Sequence, residues 1–214
     1  MLVKNRMTTN LLTVNEDLPV LEATELMHKN NVRRLPVVKG EKLIGIVTED
    51  DLLRVSPSSA TSLSVFEMNY LLSKLLIRDV MTKPVITIDP EATLEEAALI
   101  MREKNIGALP VVKDGKLVGI ITESNIFDAF IDLMGLKETG TRVTIVTEDR
   151  IGVIAEVTDI IRSFGINLVS IAALHTEGTQ YEVILRLDTK QPQAVLDAIE
   201  KRGYKVAHVA SLPG

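Results

Sequence analysis

Two rhythms of apolar and polar positions run along this chain. Short apolar runs flanked by turn residues, such as "LPVV" (Leu109–Val112) and "KLVGII" (Lys116–Ile121), read as strands, and the Lys-Asp-Gly-Lys turn between them predicts a hairpin. Ahead of them Leu94, Ala97, Ala98 and Met101 recur at helical spacing, and Thr93 with Glu96 predicts a capping box at that helix's start. A short apolar stretch, Val85–Ile88, precedes the helix. Thr122 opens a last helix that runs to about Met134, with Gly135 as its stop. The predicted unit is β-α-β-β-α.

The unit is written twice. Shifting the chain by 74 residues, Leu35 onto Leu109, aligns Val3–Leu53 with Ile77–Phe127 without a gap. "LPVVKGEKLIGIVTEDD" (Leu35–Asp51) becomes "LPVVKDGKLVGIITESN" (Leu109–Asn125), and Leu11–Val14 takes the place of Val85–Ile88. One copy makes a sheet too small to bury both faces, so the copies are expected to pack together around a pseudo-twofold axis. Between them, "SPSSATS" (Ser56–Ser62) reads as a loop. The following "SVFEMNYLLSKLL", with Phe66, Tyr70, Leu71 and Lys74 at helical intervals, reads as a connecting helix. The expected boundaries are 1–56 for the first repeat, 57–76 for the linker and connecting helix, and 77–135 for the second repeat.

From about residue 136 to 214 the pattern changes, and the repeat does not extend into it. "RVTIVT" is strand-like, and "DRIGVIAEVTDIIRSFG" is an amphipathic helix ended by Gly165. "INLVSIAAL" and "QYEVILRL" are strands around a Glu177-Gly178 turn, "QPQAVLDAIEKRG" is a helix and "YKVAHV" a strand. The order β-α-β-β-α-β is that of a ferredoxin-like sandwich. The expected class is therefore α+β, a duplicated β-α-β-β-α pair followed by a ferredoxin-like domain.

Composition narrows the picture. Aromatics are 3% with no Trp, so the cores must be aliphatic. No apolar run approaches the ~20 residues that span a bilayer. Lys4 and Arg6 are followed by polar Thr8, Thr9 and Asn10, which predicts no signal peptide. The absence of cysteine removes disulfides, thiolate metal sites and Cys nucleophiles. The expectation is a cytoplasmic protein without membrane attachment. A net charge of −5 argues against non-specific nucleic-acid binding. His28, His175 and His208 show no metal-ligand spacing, and the acidic run Glu49–Asp51 is more simply a helix start than a Mg²⁺ site. No metal site is expected, and no P-loop, Gly-x-Ser-x-Gly or Gly-x-Gly-x-x-Gly occurs.

The paired "LPVV…G-h-h-T-x-x-D/N" segments, where h is apolar, resemble a tandem pair of CBS domains over Met1–Leu133. The third part, through "EDRIGVIAEV" and "GINL", resembles an ACT domain. The combination resembles the acetoin-utilisation regulatory proteins. The CBS resemblance implies adenosyl ligands (AMP, ADP, ATP or an S-adenosylmethionine-type compound) in clefts, with Thr48 and Asp51 at the ribose. Apolar Leu11 and Leu12 would lie on the adenine face, the backbone of Val32, Arg33 and Arg34 would lie beside it, and Arg33 or Arg34 would add charge for phosphate. The second cleft would use Val85, Ile86, Ile106, Gly107, Thr122 and Asn125. An amide cannot accept from two hydroxyls as a carboxylate does, so the second cleft is expected to bind about tenfold more weakly, the alternatives being a changed ligand or an empty site. The residues themselves leave a rival open, because Thr-x-x-Asp at a helix start is also a capping box.

The ACT resemblance implies an amino-acid site at Asp149, Gly152 and Asn167, and a homodimer formed through an edge strand. The same residues also read otherwise, with Gly152 shaping a turn and Asp149 capping a helix. Together these point to a non-enzymatic regulatory sensor that acts on itself as a homodimer and on a metabolic enzyme as partner. The alternatives are a dimerisation adaptor with vacant clefts or an enzyme of unrecognised type. No converging acid, base or nucleophile favours the enzyme.

Overall fold

In the computed structural model, residues 1–55, 70, 74–176 and 179–212 are described. The expected loop Ser56–Ser62, most of the expected connecting helix and the Glu177-Gly178 turn lie outside them. The chain divides into two compact units, Met1–Ile126 and Phe127–Gly214.

In the first unit, copy one contributes α1 (Val20–Asn30), the antiparallel hairpin β1 (Arg34–Lys39) and β2 (Lys42–Thr48), and α2 (Glu49–Val55). Copy two contributes the short α3 (Ile77–Val80), α4 (Leu94–Lys104), the hairpin β3 (Ala108–Lys113) and β4 (Lys116–Thr122), and the start of α5 (Glu123–Leu133). Asp114 and Gly115 both take positive φ (50° and 79°), the signature of a type I′ hairpin turn. Thr93 Oγ1 accepts from the Glu96 amide at 3.1 Å, which is the Thr93 half of the capping box predicted at the start of α4. Copy one has Pro19 at that place, and α1 starts without a side-chain cap.

The strand expected at Leu11–Val14 shrinks to a single parallel bridge between Val14 and Val37, and Val85–Ile88 shrinks to one between Ile88 and Val111. The cause is local. Val14 N–H donates to Pro36 O and Val38 N–H donates to Val14 O, but extending the ladder needs an N–H from Pro36, which has none. Pro110 stops the second copy in the same way.

The copies exchange their leading segments. Ile77 N–H donates to Leu18 O and Val20 N–H to Leu75 O, while Val3 N–H donates to Ala92 O and Leu94 N–H to Met1 O. Ile77, from copy two, is fully buried in the copy-one core with Val20, Ala23, Met27, Leu35, Val37, Val47 and Leu52. Thr82 bridges Ile46 of β2, and Thr8 bridges Ile120 of β4. At these crossings a Cβ on Gly45 would overlap Met81 Sδ, and one on Gly119 would overlap Met7 Sδ. Glycine is required here because a side chain of the other copy passes over the strand.

The second unit is a four-stranded antiparallel sheet in the order β6-β7-β5-β8, from β5 (Gly140–Glu148), β6 (Leu168–His175), β7 (Gln180–Leu187) and β8 (Lys205–Leu212). Helices α6 (Val153–Ser163) and α7 (Gln193–Lys201) pack on one face. Their core is Val143, Ile145, Val153, Val157, Ile161, Val183, Leu185, Leu187, Val195, Leu196, Ile199 and Tyr204. This is the βαββαβ order expected.

Candidate functional site

A cavity of about 460 Å³ lies in the first unit, and both copies line it. Copy one supplies Arg33 and Arg34 from the start of the hairpin, Ile46 and Thr48 from β2, and Glu49, Asp50, Asp51 and Arg54 from α2. Copy two supplies Thr82, Pro84, Val85 and Ile86 from the segment before α4, then Asn105, Ile106, Gly107, Ala108 and Pro110. All the charged lining comes from copy one, and most of the apolar lining from copy two.

The expected division of residues between clefts is thereby corrected. Thr48, Asp51, Arg33 and Arg34 share their cavity with Val85, Ile86, Ile106 and Gly107, not with Leu11, Leu12 and Val32. Leu12 and Val32 instead pack against the copy-one core. The 74-residue shift carries Val85, Ile86, Ile106, Thr48 and Asp51 onto Leu11, Leu12, Val32, Thr122 and Asn125. The five predicted residues outside the cavity are therefore the pseudo-twofold equivalents of five inside it. The crossing described above is the reason, since it brings the segment before α4 over β2. Arg54, Thr82 and Pro84 were not anticipated. Arg54 stands one helical turn beyond Asp51, where the helical period alone places it on the same side.

Among the charged lining residues the capping box is formed. Asp51 Oδ2 accepts from the Thr48 amide (3.0 Å) and from Thr48 Oγ1 (2.7 Å), while Thr48 Oγ1 accepts from the Asp51 amide (3.2 Å). In copy two Asn125 Oδ1 does the same work for Thr122, at 2.9, 2.8 and 3.3 Å. Substituting Asn for Asp therefore leaves the cap intact. What differs is the remaining atom of each side chain, a carboxylate oxygen that only accepts in Asp51 and an NH₂ that only donates in Asn125. Thr48 is engaged as the cap through both its amide and its hydroxyl, so Asp51 offers the free acceptor.

Arg34 sits close to Gly107 and Glu123, so closely that a Cβ at Gly107 would overlap its guanidinium. Burial and the neighbouring Arg33 lower its pKa, and Glu123 and Asp50 act the other way. Three guanidiniums and three carboxylates line the cavity. Selection for an anion there rests on where the guanidiniums sit, not on net charge.

In the second unit the predicted amino-acid residues do not converge. Asn167 lines a shallow depression of about 430 Å³ with Thr158, Ile161, Arg162, Gly165, Ile166 and Leu168. Asp149 and Gly152 lie elsewhere, in the loop before α6. Gly152, at φ +93°, is the N-cap of α6, so Asp149 does not cap it; its carboxylate stands 3.9 Å from His175 Nδ1. That loop is held by Arg150, which pairs with both Glu156 oxygens (2.8 and 2.7 Å) and donates to the Tyr204 hydroxyl (2.9 Å). Tyr204 in turn donates to Glu156 at 2.6 Å. The Arg150 and Tyr204 bonds hold the Glu156 carboxyl down to about 2.

The CBS-domain family model matches residues 3–58 and 77–132, just over half of the chain. The chain belongs to the CBS-domain family. The ACT-domain model matches residues 141–203, so the tandem CBS pair is followed by an ACT domain. Among solved structures, the chain is similar to a protein named for acetoin utilization (AcuB) from Vibrio cholerae, at 33% identity and TM-score 0.54, covering 64% of this chain and 95% of that one. It is similar to CBSX2 in complex with AMP, at 32% identity and TM-score 0.52, covering 64% and 98%. It is also similar to the CBS pair of MJ0100 in complex with 5′-methylthioadenosine and S-adenosyl-L-methionine, at 29% identity and TM-score 0.51, covering 64% and 98%. It is 37% identical over 119 residues to an inosine-5′-monophosphate dehydrogenase from Korarchaeum cryptofilum, covering 55% of this chain but only 22% of that protein's length. Among the described residues no helix is long and apolar enough to cross a membrane.

Proposed function

We propose that this protein is a non-enzymatic regulatory sensor that binds an adenine nucleotide in the cavity shared by its two CBS repeats. The observation that carries the reading is Asp51. Asp51 lines the cavity, and its Oδ2 is spent on the cap, so Oδ1 is the carboxylate oxygen that remains to accept from a ligand. A ribose would give its hydroxyls to that oxygen, and charge-assisted bonds of this kind are the stronger ones. The adenine would lie against Val85, Ile86 and Ile106. Arg33, Arg34 and Arg54 favour a 5′-phosphate over the sulfur-linked substituents of S-adenosylmethionine-type ligands, since a planar guanidinium fits phosphate oxygens two at a time. Relatives of solved structure hold AMP in one case and methylthioadenosine and S-adenosylmethionine in another, which supports an adenosyl ligand.

Because the cavity walls come from both copies, a ligand that binds one arrangement of the copies more tightly shifts their equilibrium toward it. The regulated partner is a metabolic enzyme, and the ACT domain joins two chains through an edge strand, β6 or β8, into a homodimer. The test is calorimetric titration of the full chain with AMP, ADP, ATP, NAD and S-adenosylmethionine. Tight binding of AMP with weaker S-adenosylmethionine supports the reading, and heat-silent titrations with all five would end it.

A further inference from the structure

The sheet of the ACT domain has one face under α6 and α7. Strand alternation puts Arg142, Thr144, Ile184 and Arg186 on the other. On that face Arg186 of β7 stands directly opposite Arg142 of β5. Like charges placed opposite each other across a sheet repel. Arg186 is only 4% exposed, and its Nη1 is buried with no hydrogen-bond partner among the described residues. Burial and the charge of Arg142 both lower its pKa, yet a guanidinium does not give up its proton in a protein. Arg142 is itself oriented, with Nη1 donating to Thr144 Oγ1 at 2.8 Å and lying 3.4 Å from His208 Nδ1. Glu138 lies nearby, yet among the described residues Arg186 makes no ion pair with a carboxylate, so this covered cation facing a second cation lacks its counter-charge.

We propose that this face of the sheet holds an oxyanion, a carboxylate or a phosphate group, between Arg186 and Arg142. Two guanidinium forks fit the paired oxygens of either group. The segment from Met134 onward lies over Arg186. A Cβ on Gly135 would stand 3.5 Å from Arg186 Cδ, and Ser170, paired with Arg186 across the sheet, donates its hydroxyl to Met134 O at 2.9 Å. The anion enters as this short stretch lifts, with the Ser170 bond as its latch. The site is separate from the nucleotide cavity and does not depend on it.

The test uses the full chain, labelled for observation of the arginine Nε–Hε signals, titrated with sodium phosphate and separately with sodium acetate at constant ionic strength in chloride. Saturable shifts at Arg186 and Arg142 are expected with at least one anion, together with a rise in Tm. Arg186→Met should weaken this response at least tenfold and raise the anion-free Tm, because the uncompensated charge is gone. A response only to phosphate or only to acetate names the source. No saturable shift at either arginine, or equal shifts with chloride alone, overturns the proposal. So does an Arg186→Met chain that falls from dimer to monomer in light scattering while the anions do nothing, since the counter-charge would then be a carboxylate of a second copy.

Discussion

Asp51→Asn separates the two roles that Asp51 combines. Copy two shows what an amide does at this place: Asn125 holds the Thr122 amide and hydroxyl at 2.9 and 2.8 Å, against 3.0 and 2.7 Å for Asp51 and Thr48. The cap therefore survives the substitution. Stability should fall by no more than about 0.3–1 kcal/mol, the value of one negative charge in a first helical turn. Asp51→Ala removes the cap as well and should cost about 1 kcal/mol more. Binding behaves differently. The free Oδ1 becomes an NH₂, so the acceptor that the proposed ribose contact requires becomes a donor. Replacing charge-assisted bonds by neutral or mismatched ones costs about 1.5–3 kcal/mol, roughly tenfold to a hundredfold in Kd. Thermal unfolding without ligand and calorimetry with AMP read the two effects separately. If Asp51→Asn binds AMP as tightly as the natural chain, Asp51 is only a cap. If the Asn and Ala variants lose stability equally, the inference drawn from copy two is wrong.

Other consequences are as concrete. Gly119→Ala places a methyl against Met7 Sδ and 3.2 Å from Thr8 O, and overpacking of this kind should cost about 1–3 kcal/mol in chemical denaturation; no loss would mean the crossing segments are not held against the strands. Glu156 has a folded-state pKa of about 2, below its unfolded value, so its contribution to stability is present above the unfolded value and disappears as pH falls through about 2. A carboxyl NMR titration checks this, and Arg150→Met should move the midpoint up toward the usual glutamate range. Light scattering of the full chain should give twice the 23.5 kDa of one chain, and a monomer mass would remove the edge-strand dimer.

Much of this was legible before any coordinates. The duplication, the hairpins with the Asp-Gly turn of the second, the Thr93 cap and the βαββαβ order all depend on local spacing, which sequence carries directly. Four things were not. Leu11–Val14 has the composition of a strand, but its partner ladder fails at Pro36, a residue 22 or more positions away, so no local pattern reveals it. Repeat alignment matches Val85 with Leu11 without saying which of them faces Asp51; the crossing of Thr82 over Ile46 decides that. Asp149 has the chemistry of a helix cap, yet Gly152 is the one whose positive φ starts α6. Arg186 read as an ordinary strand residue because nothing in "QYEVILRL" marks it as covered and unpaired. At Thr48 and Asp51 the capping box forms with one carboxylate oxygen, Oδ2, and leaves the other outside the cap.

The most direct measurement is residue-resolved NMR of the full chain titrated with AMP. A cavity shared by the two repeats predicts saturable shifts together at Thr48, Asp51, Val85, Ile86 and Gly107, at concentrations where Thr122 and Asn125 have not moved. Shifts that appear first at Thr122 and Asn125, or that leave Val85 and Ile86 unmoved while Leu11 and Leu12 respond with Asp51, would contradict it.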